Sequence, residues 1–145
     1  MPAATRTIVF NATPEAAYKV ITDYEAYPQF LDVVNFERAE ILSRNGNTVD
    51  VKFTLNLIKR VQYTLKLTGT PNTGLDWTLV ESGIMKSNIG GWKLRDLGDG
   101  RTEATYSVDV VPSTRLIPRR VIAMLTEQSL PATLQAFKKR IEGQA

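Results

Sequence analysis

Residues 49–67 read VDVKFTLNLIKRVQYTLKL, and apolar and polar side chains alternate along both halves of this segment. An alternation with a period of two places the apolar side chains on one face of a β-strand. The halves meet at Lys59-Arg60, which leaves room only for a tight connection. The segment therefore predicts two antiparallel strands, each with one apolar and one polar face.

Turn sequences divide the chain on both sides of this pair. Residues 45–47 (Asn-Gly-Asn) and 98–100 (Gly-Asp-Gly) predict hairpins, and residues 71–74 (Pro-Asn-Thr-Gly) predict a further turn. We expect the Gly90-Gly91 pair to form a bulge or a bend. The β-prone residues 5–10 and 102–111 predict the first and last strands. This spacing is typical of an antiparallel meander that is solvated on one face.

Two regions carry helix signals. Thr13-Pro14-Glu15 combines an N-cap residue, a proline suited to the first turn and an acidic side chain near the positive end of the helix dipole. Residues 26–31 predict one more short turn of helix. Residues 117–141 predict a long closing helix with apolar side chains at helical spacing. Pro131 lies inside this helix and predicts either a kink or two abutting helices.

The composition limits the chemistry that the chain can perform. Its 145 residues, 43% hydrophobic and 23% charged, predict one globular domain over residues 1–145. The chain has no cysteine and no histidine, which excludes disulfides, thiolate nucleophiles, histidine bases and histidine zinc sites. We therefore expect no metal and no cofactor, and a binding protein more than an enzyme. No apolar run is long enough to cross a bilayer and no secretory signal is recognisable, so we expect a cytoplasmic protein.

The net charge of +3 is concentrated near the C-terminus. Residues 115–145 contain only two acidic side chains against six basic ones, which are Arg115, Arg119, Arg120, Lys138, Lys139 and Arg140. These cations could form a solvated helix face, or a surface that approaches an anionic membrane or RNA.

One long helix cannot fill the concave side of a curved sheet unless bulky side chains plug the gap. The pattern therefore leaves two possibilities: an apolar cavity between helix and sheet, or a collapsed core. A cavity smaller than about 150 Å³ would count strongly against carriage of a ligand. We expect the following residues to line a cavity: Phe53, Leu55, Tyr63, Leu65, Trp77, Leu79, Trp92, Tyr106, Val108, Met124, Leu125, Leu134 and Phe137.

Several polar residues do not fit a plain core. Arg38 and Glu40 alternate with apolar neighbours, and a charge among apolar side chains is costly unless it is paired, so we place both at the sheet edge or at the cavity mouth. Lys86 and Asn88 face either a pocket or water. Asp109 is out of phase with its apolar neighbours and is expected to face solvent. The hydroxyls of Tyr63 and Tyr106 are candidates for orienting the polar end of a ligand.

Four segments resemble those of a known family. They are residues 23–31 (DYEAYPQFL), residues 83–92 (GIMKSNIGGW), Gly100-Arg101-Thr102 and Leu130-Pro131. Their order and spacing resemble the START-like (SRPBCC) superfamily, in its polyketide cyclase/dehydrase and coenzyme-Q-binding-like branch, over nearly the whole chain. The resemblance implies an α+β helix-grip fold: a curved antiparallel sheet of six to seven strands around a long C-terminal helix, with two short helices after the first strand. It also implies a cavity for a hydrophobic ligand and an entrance loop at residues 112–118.

Three functions remain open on these grounds. The first is binding, and on the same hypothesis transport, of a lipid, quinone or polyketide-like molecule in the cavity. The second is a cyclase or dehydratase that acts on a polyketide or aromatic substrate, which would need Glu40, Lys86 or Asp109 buried and converging on one spot. The third is a regulatory module associated with RNA or the ribosome. The family motifs specify no catalytic residue, and the fold alone does not name the function.

Overall fold

Seven antiparallel strands form one sheet in the computed structural model, which describes residues 3–143. The spatial order is β1-β7-β6-β5-β4-β3-β2, so each strand from β2 onward pairs with the next along the chain and β1 closes onto β7. The strands are β1 (Ala3–Phe10), β2 (Phe36–Asn45), β3 (Thr48–Asn56), β4 (Arg60–Thr70), β5 (Gly74–Ser82), β6 (Met85–Gly98) and β7 (Arg101–Pro112). The predicted meander is confirmed, and its strand number agrees with the helix-grip expectation.

The three predicted turns lie where the sequence places them, and each uses a left-handed residue. Gly46 has φ 61° between β2 and β3, and Asn72 has φ 63° between β4 and β5. Gly98 and Gly100, with φ 80° and 73°, bracket the turn between β6 and β7. The bulge expected at Gly90-Gly91 is wrong, because both residues pair with β7 in continuous register.

The segment between β1 and β2 forms the two predicted short helices. In α1 (Pro14–Ile21), the Thr13 hydroxyl caps the first turn by accepting a hydrogen bond of 3.2 Å from the Ala16 amide. The second helix, α2 (Tyr27–Phe30), is flanked by single 3₁₀ turns at Tyr24–Ala26 and Asp32–Val34. This segment covers one end of the concave face.

The C-terminal segment forms two helices, α3 (Arg119–Leu125) and α4 (Leu130–Gly143). The backbone leaves the helical region at Thr126, which has φ −125° and ψ −113°. Pro131 is the second residue of α4, where a missing amide hydrogen costs nothing because it would have no partner within the helix. Of the two possibilities that this proline left open, the structure has the abutting helices. Among the described residues, no helix is long and apolar enough to cross a membrane.

The core lies between α4 and the concave face of the sheet. The alternation in residues 49–67 places one face of β3 and of β4 inside, as predicted. From the helix side, α4 buries Leu130, Leu134, Phe137 and Ile141 at helical spacing. The two apolar faces together enclose the interior of the molecule.

Gly90 is needed for close packing between strands. A Cβ added there would lie 2.5 Å from an atom of the Trp77 ring and 2.4 Å from the Ser107 carbonyl oxygen. The Ser107 backbone cannot move aside as the end of a flexible side chain can. The Trp77 ring can therefore occupy its position only because residue 90 has no side chain.

We predict that Gly90→Ala lowers the free energy of unfolding by about 1–3 kcal/mol, the usual cost of overpacking. Gly83→Ala is the matched control, because a Cβ there has nothing within 4 Å. Its effect should stay within about 0.5 kcal/mol. Urea denaturation followed by tryptophan fluorescence measures both, and equal effects would contradict this account of Gly90.

Candidate functional site

A cavity of about 80 Å³ lies between the concave face of the sheet and helices α3 and α4. Most of the residues expected to line it do so: Phe53, Leu55, Tyr63, Leu65, Trp77, Trp92, Tyr106, Val108, Met124, Leu125 and Phe137. This volume is below about 150 Å³, so the cavity in this conformation counts strongly against carriage of a ligand. The space holds a few water molecules or a small organic fragment, so a larger guest requires one wall to move.

Two residues expected at the cavity lie elsewhere. Leu134 is buried within the core on α4 and does not reach the cavity surface. Leu79 is half-buried on β5, next to a register irregularity in the pairing of β4 with β5. Strand alternation predicts which face a side chain takes, but not how far along the strand the cavity extends.

The cavity also has walls that the strand and helix patterns did not predict. One wall comes from Tyr27, Leu31, Val34 and Phe36, in the segment that leads into β2, together with Leu67 of β4. Another comes from the break between α3 and α4, with Thr126, Ser129, Leu130 and Thr133. The spacing of residues 27, 31 and 34, one helical face, is a signal for the first wall. Pro131 is a signal for the second, because it predicts that the helix breaks nearby, but the sequence does not show that residues 126–133 line the cavity.

Aromatic side chains fill most of the space and explain why the cavity is small. Tyr27 stacks on Phe53, with ring centroids 5.8 Å apart and planes 17° apart. Tyr106 lies between the two tryptophans, 5.6 Å from Trp77 and 5.0 Å from Trp92. Offset and edge-on contacts of this kind are the favoured geometries of aromatic pairs.

The polar groups of the wall fall into two classes. Asn88 is buried, and its Oδ1 accepts a hydrogen bond of 3.0 Å from Trp77 Nε1. The Tyr27 hydroxyl donates to the Ile21 carbonyl oxygen. These donors are occupied. By contrast, no hydrogen bond joins the hydroxyls of Tyr63 and Tyr106, two residues of the wall, to any other residue between positions 3 and 143.

Burial keeps these phenols neutral. Desolvation raises the pKa of Tyr63 and of Tyr106 far above the ordinary value of 10.0, and the nearby Tyr106 adds to the shift at Tyr63. The pKa of Tyr27 is raised as well, again first by burial. A phenol that holds its proton so firmly donates a hydrogen bond at neutral pH but cannot act as a general base.

Three of the charged residues proposed for ligand contact do not reach the cavity. Arg38 and Glu40 are exposed on the edge strand β2, with 4.0 Å between Arg38 Nη2 and Glu40 Oε1. Lys86 is exposed on β6. In each case strand alternation turns the side chain outward, where its charge keeps its hydration. Of the proposed polar contacts, only Asn88 lies in the cavity wall.

The cavity wall offers no acid or base. Asp109 is half-buried rather than fully solvated as expected, but it is absent from the wall, and its strand neighbours Val108 and Val110 are the buried residues. No Asp, Glu, Lys or Arg lines the cavity in the part of the chain that the structure describes. Over the same residues, no group of three or more potential metal ligands occurs.

One wall is held less firmly than the others. Within residues 3–143, no side-chain hydrogen bond or ion pair joins Arg119–Leu125 (α3) to the sheet, and only apolar contacts such as those of Val121 and Ile122 hold it in place. Helix α4 is better anchored, because Phe137 in its middle packs against Tyr27 and Trp92, and Lys138 Nζ donates to the Val9 carbonyl oxygen on β1.

The C-terminal cations separate into two groups. Lys138 Nζ contacts Glu142 Oε2 at 2.6 Å, and Arg140 donates to Gln29 and lies over the Phe30 ring. Lys139 of the same helix is exposed. The other group, Arg115, Arg119 and Arg120, is exposed around the start of α3, and none of the three forms an ion pair within the described residues. The two groups therefore do not form one solvated helix face.

The sequence and the fold have relatives of known description. A family described as polyketide cyclase / dehydrase and lipid transport matches residues 10–138. The persistence and stress-resistance toxin PasT of Escherichia coli O6:H1 is 27% identical over 117 residues, covering 81% of this chain and 73% of that protein. A START superfamily protein from Mycobacterium smegmatis superposes with a TM-score of 0.84 at 16% identity, over 100% of both chains. The Zhui aromatase/cyclase from Streptomyces sp. R1128 gives 0.85 at 19% identity, over 97% of this chain and 93% of that one.

We predict that stability falls as the pH rises above about 10, where the phenols of an unfolded chain ionise. Because burial raises the pKa of Tyr63 and Tyr106 in the folded state, only the unfolded state loses these protons, so the stabilisation is complete below pH 10 and is lost above it. Each phenol contributes a slope of about 1.4 kcal/mol per pH unit. Urea denaturation across this range, with phenolate absorbance as a second readout, should give a shallower fall for Tyr63→Phe/Tyr106→Phe than for the parent protein. Identical slopes would refute the assignment.

Proposed function

Because the chain belongs to the polyketide cyclase/dehydrase and lipid transport family, we propose that it binds a hydrophobic small molecule in the cavity and releases it unchanged. The observation that carries this proposal is the chemistry of the cavity wall. The wall is apolar and aromatic, and its titratable groups in the described residues are tyrosines that stay protonated at neutral pH. Such a wall supplies desolvation and hydrogen bonds, and it lacks the groups for proton transfer.

A ligand of lipid, quinone or polyketide size needs more room than about 80 Å³, and α3 is the wall that can provide it. Burying ~300 Å² of apolar ligand surface is worth roughly 7 kcal/mol before the costs of association. Displacing α3 breaks apolar contacts but no side-chain hydrogen bond to the sheet. The ligand would then make apolar contacts in place of those that α3 loses. The favourable free energy of binding would therefore offset the free energy cost of moving α3.

The two free phenols define the polar end of this ligand. A ligand oxygen that accepts a hydrogen bond from one or both hydroxyls would gain about 0.5–1.5 kcal/mol for each bond. We therefore expect an apolar body that carries a carbonyl, quinone or similar acceptor oxygen. Tyr63 and Tyr106 would orient it, and the body would lie against Trp77 and Trp92.

The other two functions have less support. Cyclase chemistry on this chain would need an acid or base at the cavity, and Glu40 and Lys86 are both exposed elsewhere. The likeness to an aromatase/cyclase is one of fold. An RNA- or ribosome-associated role would place its binding surface outside the cavity, among the exposed cations.

A matched pair of probes tests the proposal. Acetophenone and ethylbenzene have similar shapes, but only acetophenone carries an acceptor oxygen. We expect both to bind in the cavity, acetophenone more tightly, with chemical-shift changes in the indole and amide signals of Trp77 and Trp92. The double variant Tyr63→Phe/Tyr106→Phe should weaken acetophenone binding about tenfold, the worth of one to two hydrogen bonds, and leave ethylbenzene unaffected.

Tyr18→Phe is the matched control, because Tyr18 is half-buried outside the cavity. Hydrogen exchange adds a second readout: amides of α3 should exchange faster than those of α4 in the free protein and become protected when acetophenone binds. If neither probe shifts the cavity tryptophans, or if both variants affect both probes equally, the proposal fails.

A further inference from the structure

The two ends of the sheet differ in chemistry. The β3–β4 turn, the β5–β6 turn and the β7–α3 loop lie at the same end, because strands alternate in direction along the meander. We call this the basic end and define it by residues 57–59, 83–84 and 113–120. It includes Ile58, which is 53% exposed, and Leu116, which is 89% exposed. The turns at the opposite end, residues 45–47, 71–73 and 98–100, contain no large apolar side chain.

The local structure holds Leu116 in its exposed position. The Ser113 amide donates to the Ile84 carbonyl oxygen at 2.9 Å, which ties the loop to the β5–β6 turn. The Leu116 amide donates to the Thr114 hydroxyl oxygen at 3.1 Å. On the other side Ile117 packs against the core. The loop is anchored before and after Leu116, so the leucine is presented to solvent by the fold.

Cations surround this leucine. Arg115, Arg119 and Arg120 lie within four residues of it, all three are exposed, and none forms an ion pair within residues 3–143. Lys59 is exposed beside Ile58 at the same end. The exposed acids at this end are Asp32, in the turn before β2, and Glu81, near the end of β5, while Glu37 is already paired with Arg60 at 2.9 Å. The basic end thus combines apolar tips with excess positive charge.

We propose that the basic end docks on a bilayer that contains anionic lipid, with Leu116 and Ile58 entering the headgroup region and the arginines contacting lipid phosphates. Apolar tips among unpaired cations match a surface that is anionic outside and apolar beneath. Single-stranded RNA would be recognised by stacking on aromatic side chains, and no Phe, Trp or Tyr among residues 3–143 is exposed.

Docking would place the movable wall of the cavity next to the membrane. The arginines occupy the loop and first turn that lead into α3, and α3 contributes Met124 and Leu125 to the cavity wall. This use of the surface for loading or delivery rests on the proposed ligand binding, whereas docking itself does not.

Cosedimentation with vesicles of known composition tests the docking. The parent protein should bind vesicles made of equal parts of phosphatidylcholine and phosphatidylglycerol, bind vesicles of phosphatidylcholine alone much more weakly, and lose affinity as salt is raised. Arg119→Gln/Arg120→Gln should weaken binding about 30-fold, since each cation near the surface is worth about fivefold. Leu116→Ser should weaken it about tenfold by removing one inserted side chain.

Matched controls come from elsewhere on the sheet. Arg44→Gln/Arg101→Gln makes the same change of charge at exposed residues of the opposite end, and Leu42→Ser changes a leucine that is 52% exposed on β2. Both should bind vesicles as the parent does. The proposal is overturned if the parent protein does not bind anionic vesicles, or if the test and control variants lose equal affinity. It is also overturned if the protein binds single-stranded RNA more tightly than vesicles and this binding depends on the arginines and not on Leu116. All variants should retain acetophenone binding without vesicles, so a failure of docking is distinguishable from a failure of the cavity.

Discussion

The packing of Phe137 determines where the rest of the molecule can lie. Its ring centroid is 5.1 Å from that of Trp92 on the sheet and 5.4 Å from that of Tyr27 on α2. One side chain of α4 therefore joins the sheet to the short helices, and each such aromatic contact adds about 0.5–1.5 kcal/mol beyond the area it buries. With α4 held in this way, the concave face is filled on that side. The remaining space is bordered by α3 and by the break that follows it.

The break between the helices separates α3 from α4, and the opening proposed for ligand binding needs only α3 to move. If the C-terminal segment were one continuous helix, it would move as a rigid body. The packing of Phe137 would then also hold the part that forms α3. The backbone of Thr126 leaves the helical region and interrupts that transmission, and its hydroxyl donates to the Ile122 carbonyl oxygen at 2.9 Å. Since Pro131 occupies the first turn of α4, the proline favours a new start there over continuation from α3. The sheet and α4 can therefore stay in place while α3 moves.

The sequence predicts much more of the fold than of the candidate site. Alternation in residues 49–67 and the left-handed turn residues are local signals, and local signals suffice for an antiparallel meander. The side of the sheet that Phe53 and Leu65 occupy follows from the same alternation. The volume of the cavity does not follow from the alternation. It is the small difference between the space that the sheet and helices enclose and the volume of the aromatic side chains that fill this space. For the same reason, helical spacing places Leu134 in the cavity wall although it lies in the core. The strand and helix patterns also do not predict Tyr27 and Leu31, which complete the wall.

The free energy cost of burying a charge explains why the charged side chains lie on the surface and the cavity wall is neutral. A charged side chain in the cavity would need a partner, and the fold supplies none, so the charged residues near the cavity-facing strands, Arg38, Glu40 and Lys86, turn outward. What remains inside is neutral and retains hydrogen-bond donors at Tyr63 and Tyr106. An interior of this kind would, on the proposed function, select a ligand by shape and by one acceptor oxygen, with little dependence on pH below the range where phenols ionise. The positive charge lies on the surface, where it would act on the proposed anionic membrane without changing the chemistry of the cavity.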